Sequence, residues 1–155
     1  MSGYHDNDAT PYMAVYILFK KGDKAAFLLR GNTGWMDGHY GLIAGRVDKG
    51  ESIAAAAIRE AEEEAGVTIH PADLQLVGTF HRKETDSEWV DLLFEASKWQ
   101  GDIRNAEPDK HDELAWFNPR ELPENMVPSV RFYIEQYLAG KTYAEYGWDT
   151  KPAEN

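Results

Sequence analysis

Gly45–Val67 reads GRVDKGESIAAAAIREAEEEAGV, and this stretch decides the fold. Ser52 stands where an N-cap belongs, alanines and glutamates fill the interior, and Gly66 follows as a C′ glycine. The pattern predicts a helix from Ser52 to Ala65. At about 100° per residue, with Glu60 at zero, Glu64 falls near +40° and Glu63 near −60°. Three carboxylates thus share one face, while Glu62 points away. Ala54, Ile58, Ala61 and Ala65 form a narrow apolar stripe, whose small side chains let the helix axis lie close to a sheet.

Carboxylates at i, i+3 and i+4 repel one another, and in the last turn of a helix the dipole also disfavours anions. A glutamate run on a helix is ordinarily a solvated face. Here two local rules break together, as they do at functional sites. A divalent cation relieves both. An all-oxygen donor set suits a hard ion, magnesium first and manganese second. Magnesium shares its shell readily with substrate phosphates, which points to phosphate chemistry.

The wider segment fits G-x5-E-x7-R-E-U-x-E-E-x-G-U through Gly45, Glu51, Arg59, Glu60, Ala61, Glu63, Glu64, Gly66 and Val67. In this it resembles the signature box of the Nudix hydrolases. Ala61 departs from the pattern, which prefers a larger aliphatic residue, and Ile43–Ala44 stand where the family often has Pro-Gly. The resemblance implies an α/β fold, an α/β/α sandwich with a mixed sheet between helices, and a box that forms a loop–helix–loop. It implies hydrolysis of a nucleoside diphosphate linked to another group, with Mg2+ or Mn2+ as cofactor. On the same resemblance Glu60, Glu63 and Glu64 ligate metal, the carbonyl of Ala44 adds a ligand, and Glu51 supports the site and is a further candidate metal ligand. Arg59 holds the carboxylates, Gly45 serves the turn and Gly66 the helix end. The base that takes a proton from water is a box acid, Glu63 or Glu60, or a loop acid. Among Glu107, Asp109, Asp112 and Glu113, the last is preferred, because it adjoins a strand expected at Leu114–Phe117.

Strands are also expected at Tyr12–Phe19, Ala25–Leu29, Leu74–Lys83 and Glu88–Trp99, and a second helix at Ser129–Ala139. Val90, Leu92, Phe94 and Ala96 recur at period two, leaving Trp89 and Asp91 for the other layer or the ligand. Residues 1–10 read as a flexible arm, 11–140 as the domain, and 141–155 as a tail without period. Trp35, His39 and Tyr40, in the glycine-rich loop 31–41, are candidates for contact with a base or sugar. Arg82, between His81 and Lys83, is a candidate for phosphate.

The chain has 155 residues, one domain's worth, with 16 basic and 27 acidic side chains and a formal charge of −11. Such a balance argues against gripping a nucleic-acid backbone or an anionic membrane. It is compatible with a small nucleotide escorted by cations. The absence of cysteine excludes disulfides, thiolate metal sites and cysteine nucleophiles. The longest apolar run, Tyr12–Phe19, is far short of the ~20 residues that span a bilayer. With no signal-peptide pattern at the start, a cytoplasmic protein is expected. A homodimer is compatible with everything above. The competing reading is a nucleotide-sensing module without turnover, which would be expected to have lost a box acid; none is missing.

Overall fold

Strand β1, Tyr12–Lys21, carries apolar side chains on both faces and so belongs in the middle of the structure. Val15, Ile17 and Phe19 point to one layer and Leu18 to the other. A computed structural model describes residues 5–148, so the arm and tail expectations for residues 1–4 and 149–155 lie outside the described residues. After β1 a two-residue turn leads into β2, Lys24–Arg30. Gly22 takes a φ of 63° there, a value that suits a tight hairpin and few residues besides glycine.

The remaining strands are β3 (Tyr40–Gly41), β4 (Ile43–Arg46), β5 (Gln75–Lys83), β6 (Glu88–Ala96), β7 (His111–Phe117) and β8 (Tyr143–Tyr146). Together they form one eight-stranded mixed sheet with the path β3-β2-β1-β6-β5-β8, in which β4 also pairs with β1 and β7 with β2. β1 runs parallel to β6 and antiparallel to β4, with Val15 opposite both Leu92 and Gly45. The central strand thereby carries β4, and the box that begins on it, along its flank. An α/β architecture with a mixed sheet is what the sequence predicts.

Two helices cover the sheet. α1, Ile53–Glu60, continues as a π-helical turn, Ala61–Ala65. Ala56, Ala57, Ala61 and Ala65 are fully buried in the core layer of Val15, Ile17, Leu92 and Phe94. α2, Pro128–Leu138, packs Val130, Tyr133 and Ile134 against Leu18, Phe27, Phe80 and Leu93. No helix among the described residues is long and apolar enough to cross a membrane.

Three expectations need correction. The apolar stripe is rotated: Ala54 is exposed and Ile58 half-buried, whereas Ala56 and Ala57 face the sheet. Two small alanines per turn make room on that face for Glu60, only 8% exposed, so the carboxylate side of the helix is turned inward. β7 begins at His111 rather than Leu114, because its early residues pair with Leu29 and Arg30 across a bulge. The stretch 141–155 reads as a tail without period, yet within it Tyr143–Tyr146 runs parallel to β5.

Candidate active site

Ser52 accepts a hydrogen bond from the Ala55 N–H at 3.1 Å and starts α1 as predicted. At the other end Gly66 adopts φ 71°, the left-handed cap that lets the chain leave the helix. Between them the turn widens to a π-helix over AEEEA, a local irregularity frequent at functional sites.

Arg59 organises the acids. Its Nε and Nη2 donate to the two oxygens of Glu51 at 2.7 and 2.9 Å. Nη1 reaches Glu60 at 2.9 Å and Glu63 at 3.3 Å, and Nη2 also reaches the Arg46 carbonyl at 3.0 Å. The hydrogen bonds from Arg59 hold the Glu51 carboxyl down at about 2. Glu60 moves the other way, raised chiefly by burial. Its carboxylate lies where a Cβ on Gly45 would be, 2.0 Å from Oε2, so only glycine leaves it space. Gly45 pairs with Val15 in the β-ladder, so its service to the site is clearance rather than the turn that the sequence suggests.

Glu64 takes the Ala44 N–H at 2.9 Å on one carboxylate oxygen. Part of its side chain stays at the surface, yet the surrounding protein raises its carboxyl to about 8, burial being the largest cause. Glu63 is about half exposed. Box residues Ala44, Glu51, Arg59, Glu60, Glu63 and Glu64 thus meet at the junction of β4 and α1. Among the described residues no three carboxylates or imidazoles form a ready metal-ligating cluster. The Arg59 fork instead spans Glu51, Glu60 and Glu63. The donor chemistry still fits a hard cation. Every side-chain donor is an oxygen, Glu64 keeps one oxygen free of described hydrogen bonds, and burial raises both the Glu60 and the Glu64 carboxyl.

The loop acids separate. Glu113 accepts from the Tyr40 hydroxyl at 2.6 Å, a bond that raises Tyr40 to about 12. No described hydrogen bond or ion pair joins Glu113 to the box. Glu107 is the acid that faces it, close enough to push up both Glu60 and Glu64. The loop is tied there by Ala106 N–H to the Glu64 carbonyl at 3.0 Å and Arg104 N–H to the Ala65 carbonyl at 3.1 Å.

A cavity of about 610 Å³ opens beside the box and reaches Ala44 and Gly45. Trp35 and Arg82 line it; His39 and Tyr40 do not. Tyr40 packs edge-on to Phe117 at 4.9 Å, and His39 turns a buried Nδ1 inward without a described partner. The structure adds Tyr16, Arg30, Arg46 and Trp89 to the lining. Arg46 directly follows the box glycine, a signal legible in the sequence; for Trp89 the period-two pattern leaves either the other layer or the ligand, and the structure puts it on the cavity wall.

A mixed sheet between two helices, with a glutamate-rich loop–helix–loop on its flank, defines the Nudix class of α/β fold. The sequence profile described as NUDIX domain matches residues 10–137. The chain belongs to the Nudix family. It is 32% identical over 130 residues to an NAD-capped RNA hydrolase NudC of Stutzerimonas stutzeri, covering 81% of this chain and 44% of that protein. With an uncharacterized Nudix hydrolase YvcI of Bacillus subtilis it shares 30% over 123 residues, 77% of this chain and 74% of the other. A crystal structure of a MutT NUDIX hydrolase from Burkholderia pseudomallei superposes with a TM-score of 0.75 at 26% identity, covering 82% of this chain and 98% of that one. The chain spans under half the length of the NudC relatives it matches.

Proposed function

We propose that this domain is a divalent-cation-dependent hydrolase that cleaves the diphosphate linkage of a nucleoside diphosphate joined to another group, by attack of water on phosphorus. The observation that carries the reading is the junction of cavity and box. Ala44 and Gly45 line the cavity, and the same two residues touch Glu64 and Glu60. A nucleotide in the cavity therefore lays its phosphates against the acids.

Glu60, Glu63 and Glu64, with the Ala44 carbonyl, would hold Mg2+ or Mn2+, and Glu51 would steady them through Arg59. When bound, such an ion neutralises charge on the phosphate oxygens and acidifies a water molecule. The chain's own groups do the rest. Arg59 keeps Glu51, Glu60 and Glu63 from springing apart. Arg30 and Arg46 bring positive charge to the cavity in a chain of charge −11, whereas Arg82 is already paired with the buried Asp91 and with Glu84, each at 2.6 Å. Glu107, next to the Ala106 that is tied to the last turn of the box helix, is a better candidate than Glu113 to take a proton, with Glu63 and Glu60 as box alternatives.

The experiment is a panel of nucleoside triphosphates, dinucleotides and nucleotide sugars with Mg2+ in heavy-oxygen water, run on the wild type and Glu63→Gln. Turnover that needs the cation and drops by about 10²-fold or more in an equally stable Glu63→Gln protein supports the reading. Equal turnover with and without a chelator, or in the two proteins, rejects it. The product that gains the label identifies the phosphorus attacked.

A further inference from the structure

The last carbonyls of a helix have no donor within it. At the end of the box helix two of them, those of Glu64 and Ala65, are taken by the loop that precedes β7. Ala106 N–H donates to Glu64 at 3.0 Å and Arg104 N–H to Ala65 at 3.1 Å. Arg104 also lies across Gly66, where a Cβ would meet its guanidinium carbon at 2.8 Å. The loop is thus laid along the end of the helix that carries the acids.

Between those two residues stands Asn105, half-buried. Its side-chain amide works in both directions. Oδ1 accepts from the Glu107 N–H at 3.2 Å, and Nδ2 donates to the His111 carbonyl at 2.7 Å. His111 is the first residue of β7 and only 5% exposed, so the far end of this clamp is buried sheet. The Glu107 carbonyl closes the ring, accepting from the N–H groups of Lys110 at 2.9 Å and His111 at 3.1 Å. Both backbone polar groups of Glu107 are therefore fixed. Its carboxylate is looser: the ion pair described for it, with Lys110 Nζ, is 3.9 Å long. That carboxylate lies close enough to Glu60 and Glu64 to push both of them up.

We infer that Asn105 is a positioning residue for the hydrolysis, clamping the loop so that Glu107 is presented to the box acids. This rests on the reading above, in which Glu107 takes a proton from water, and deepens it. An amide supplies a donor and an acceptor from one planar end, whereas a carboxylate supplies only acceptors and a leucine neither. Without the clamp, the ring from 105 to 111 regains backbone freedom that the fold otherwise removes in advance. A reacting group misplaced by about 1 Å loses on the order of 10²-fold in rate.

A double-mutant cycle tests this on the full chain with Mg2+ and the nucleotide of the panel above that turns over fastest. Asn105→Ala is expected to lower kcat by about tenfold or more, with KM within about twofold of wild type. In a Glu107→Gln chain the same substitution should change kcat by less than about twofold, because the group it positions is already gone. A merely structural loss would lower kcat by the same factor in both backgrounds. Hydrogen exchange on the cation-free chain gives a readout without turnover. The Glu107 amide should exchange about tenfold faster or more in Asn105→Ala, while the amides of α1 keep their protection. Asn105→Leu, which keeps the volume and loses both bonds, carries the same comparisons if Asn105→Ala does not fold. Equal factors in the two backgrounds, an unchanged kcat, or an unchanged Glu107 amide overturns the proposal. Full turnover by Glu107→Gln overturns it as well, by removing Glu107 from the reaction. A wild type that hydrolyses nothing sinks the functional reading instead, and the exchange comparison still shows whether Asn105 holds Glu107.

Discussion

Gly45 shows how a single missing side chain is read differently from sequence and from structure. In the sequence it is the box glycine and suggests a turn. In the fold it leaves space for the Glu60 carboxylate, which a Cβ would meet at 2.0 Å. Gly45→Ala is therefore expected to displace Glu60, lowering stability by about 1–3 kcal/mol and removing most activity. A thermal melt and a rate assay check it, and a normal rate would mean that Glu60 has somewhere else to go. Glu64 supplies the pH dependence. Its folded carboxyl is raised from 4.5 to about 8, so between those values the folded chain keeps a proton that the unfolded chain gives up. Stability from this group therefore falls as pH rises through that window. Glu60 is raised in the same direction. Below 6.5 His111 works oppositely: burial lowers its folded value, so there stability rises with pH. Above 6.5 that opposition is gone. Cation-free protein should thus melt at lower temperature at pH 8 than at pH 6.5, and Glu64→Gln should flatten the slope. A wild-type profile already flat would remove burial as the cause. The acids themselves were legible because repulsion at fixed spacing is a local property; their partners Gly45 and Glu107 act across the fold, which no local pattern encodes.

At the scale of elements, α1 was the most legible part of the chain because its signals are local. Ser52 caps it and Gly66 ends it, as the composition predicts. Removing the Ser52 hydroxyl strips one N–H of its acceptor without touching the site. Ser52→Ala should cost about 1 kcal/mol, or about 2–4 °C in a chain of this size, with turnover unchanged. Loss of turnover at constant stability would tie the cap to the chemistry instead. The face that α1 buries is less legible, since a wheel drawn at constant pitch carries no trace of the space that Gly45 leaves for Glu60. The start of β7 is hidden in the sequence for a related reason. His111, Asp112 and Glu113 are polar and look like loop, but a bulged register with Leu29 and Arg30 extends the ladder over them. β8 has four residues, Tyr143–Tyr146, and only a partner far away in sequence makes them a strand.

That distant pairing bears on the whole molecule. β8 lies at the edge of the sheet path beside β5, the strand that carries both Phe80 and Arg82. Tyr146 stands opposite Arg82 in the ladder, and its ring packs 5.3 Å from Phe132 and 6.4 Å from Tyr133. Tyr133 in turn stacks on Phe80 at 4.1 Å and holds Asp91, so the edge strand, the second helix and the buried ion pair form one connected unit. A chain ended at Lys141 would lose one side of that unit and bare the β5 backbone, an unpaired edge open to other chains. The truncated protein is expected to melt at lower temperature, to associate in size-exclusion runs, and to bind adenosine 5′-monophosphate several-fold more weakly as Arg82 loosens. No described hydrogen bond or ion pair joins the acid cluster to residues 142–148. The rate at saturating nucleotide should accordingly fall less than the affinity, a KM effect more than a kcat effect. If the truncated chain melts and binds like the full one, β8 is an ornament on the edge, and Arg82 is held by Asp91 without help from the end of the sheet.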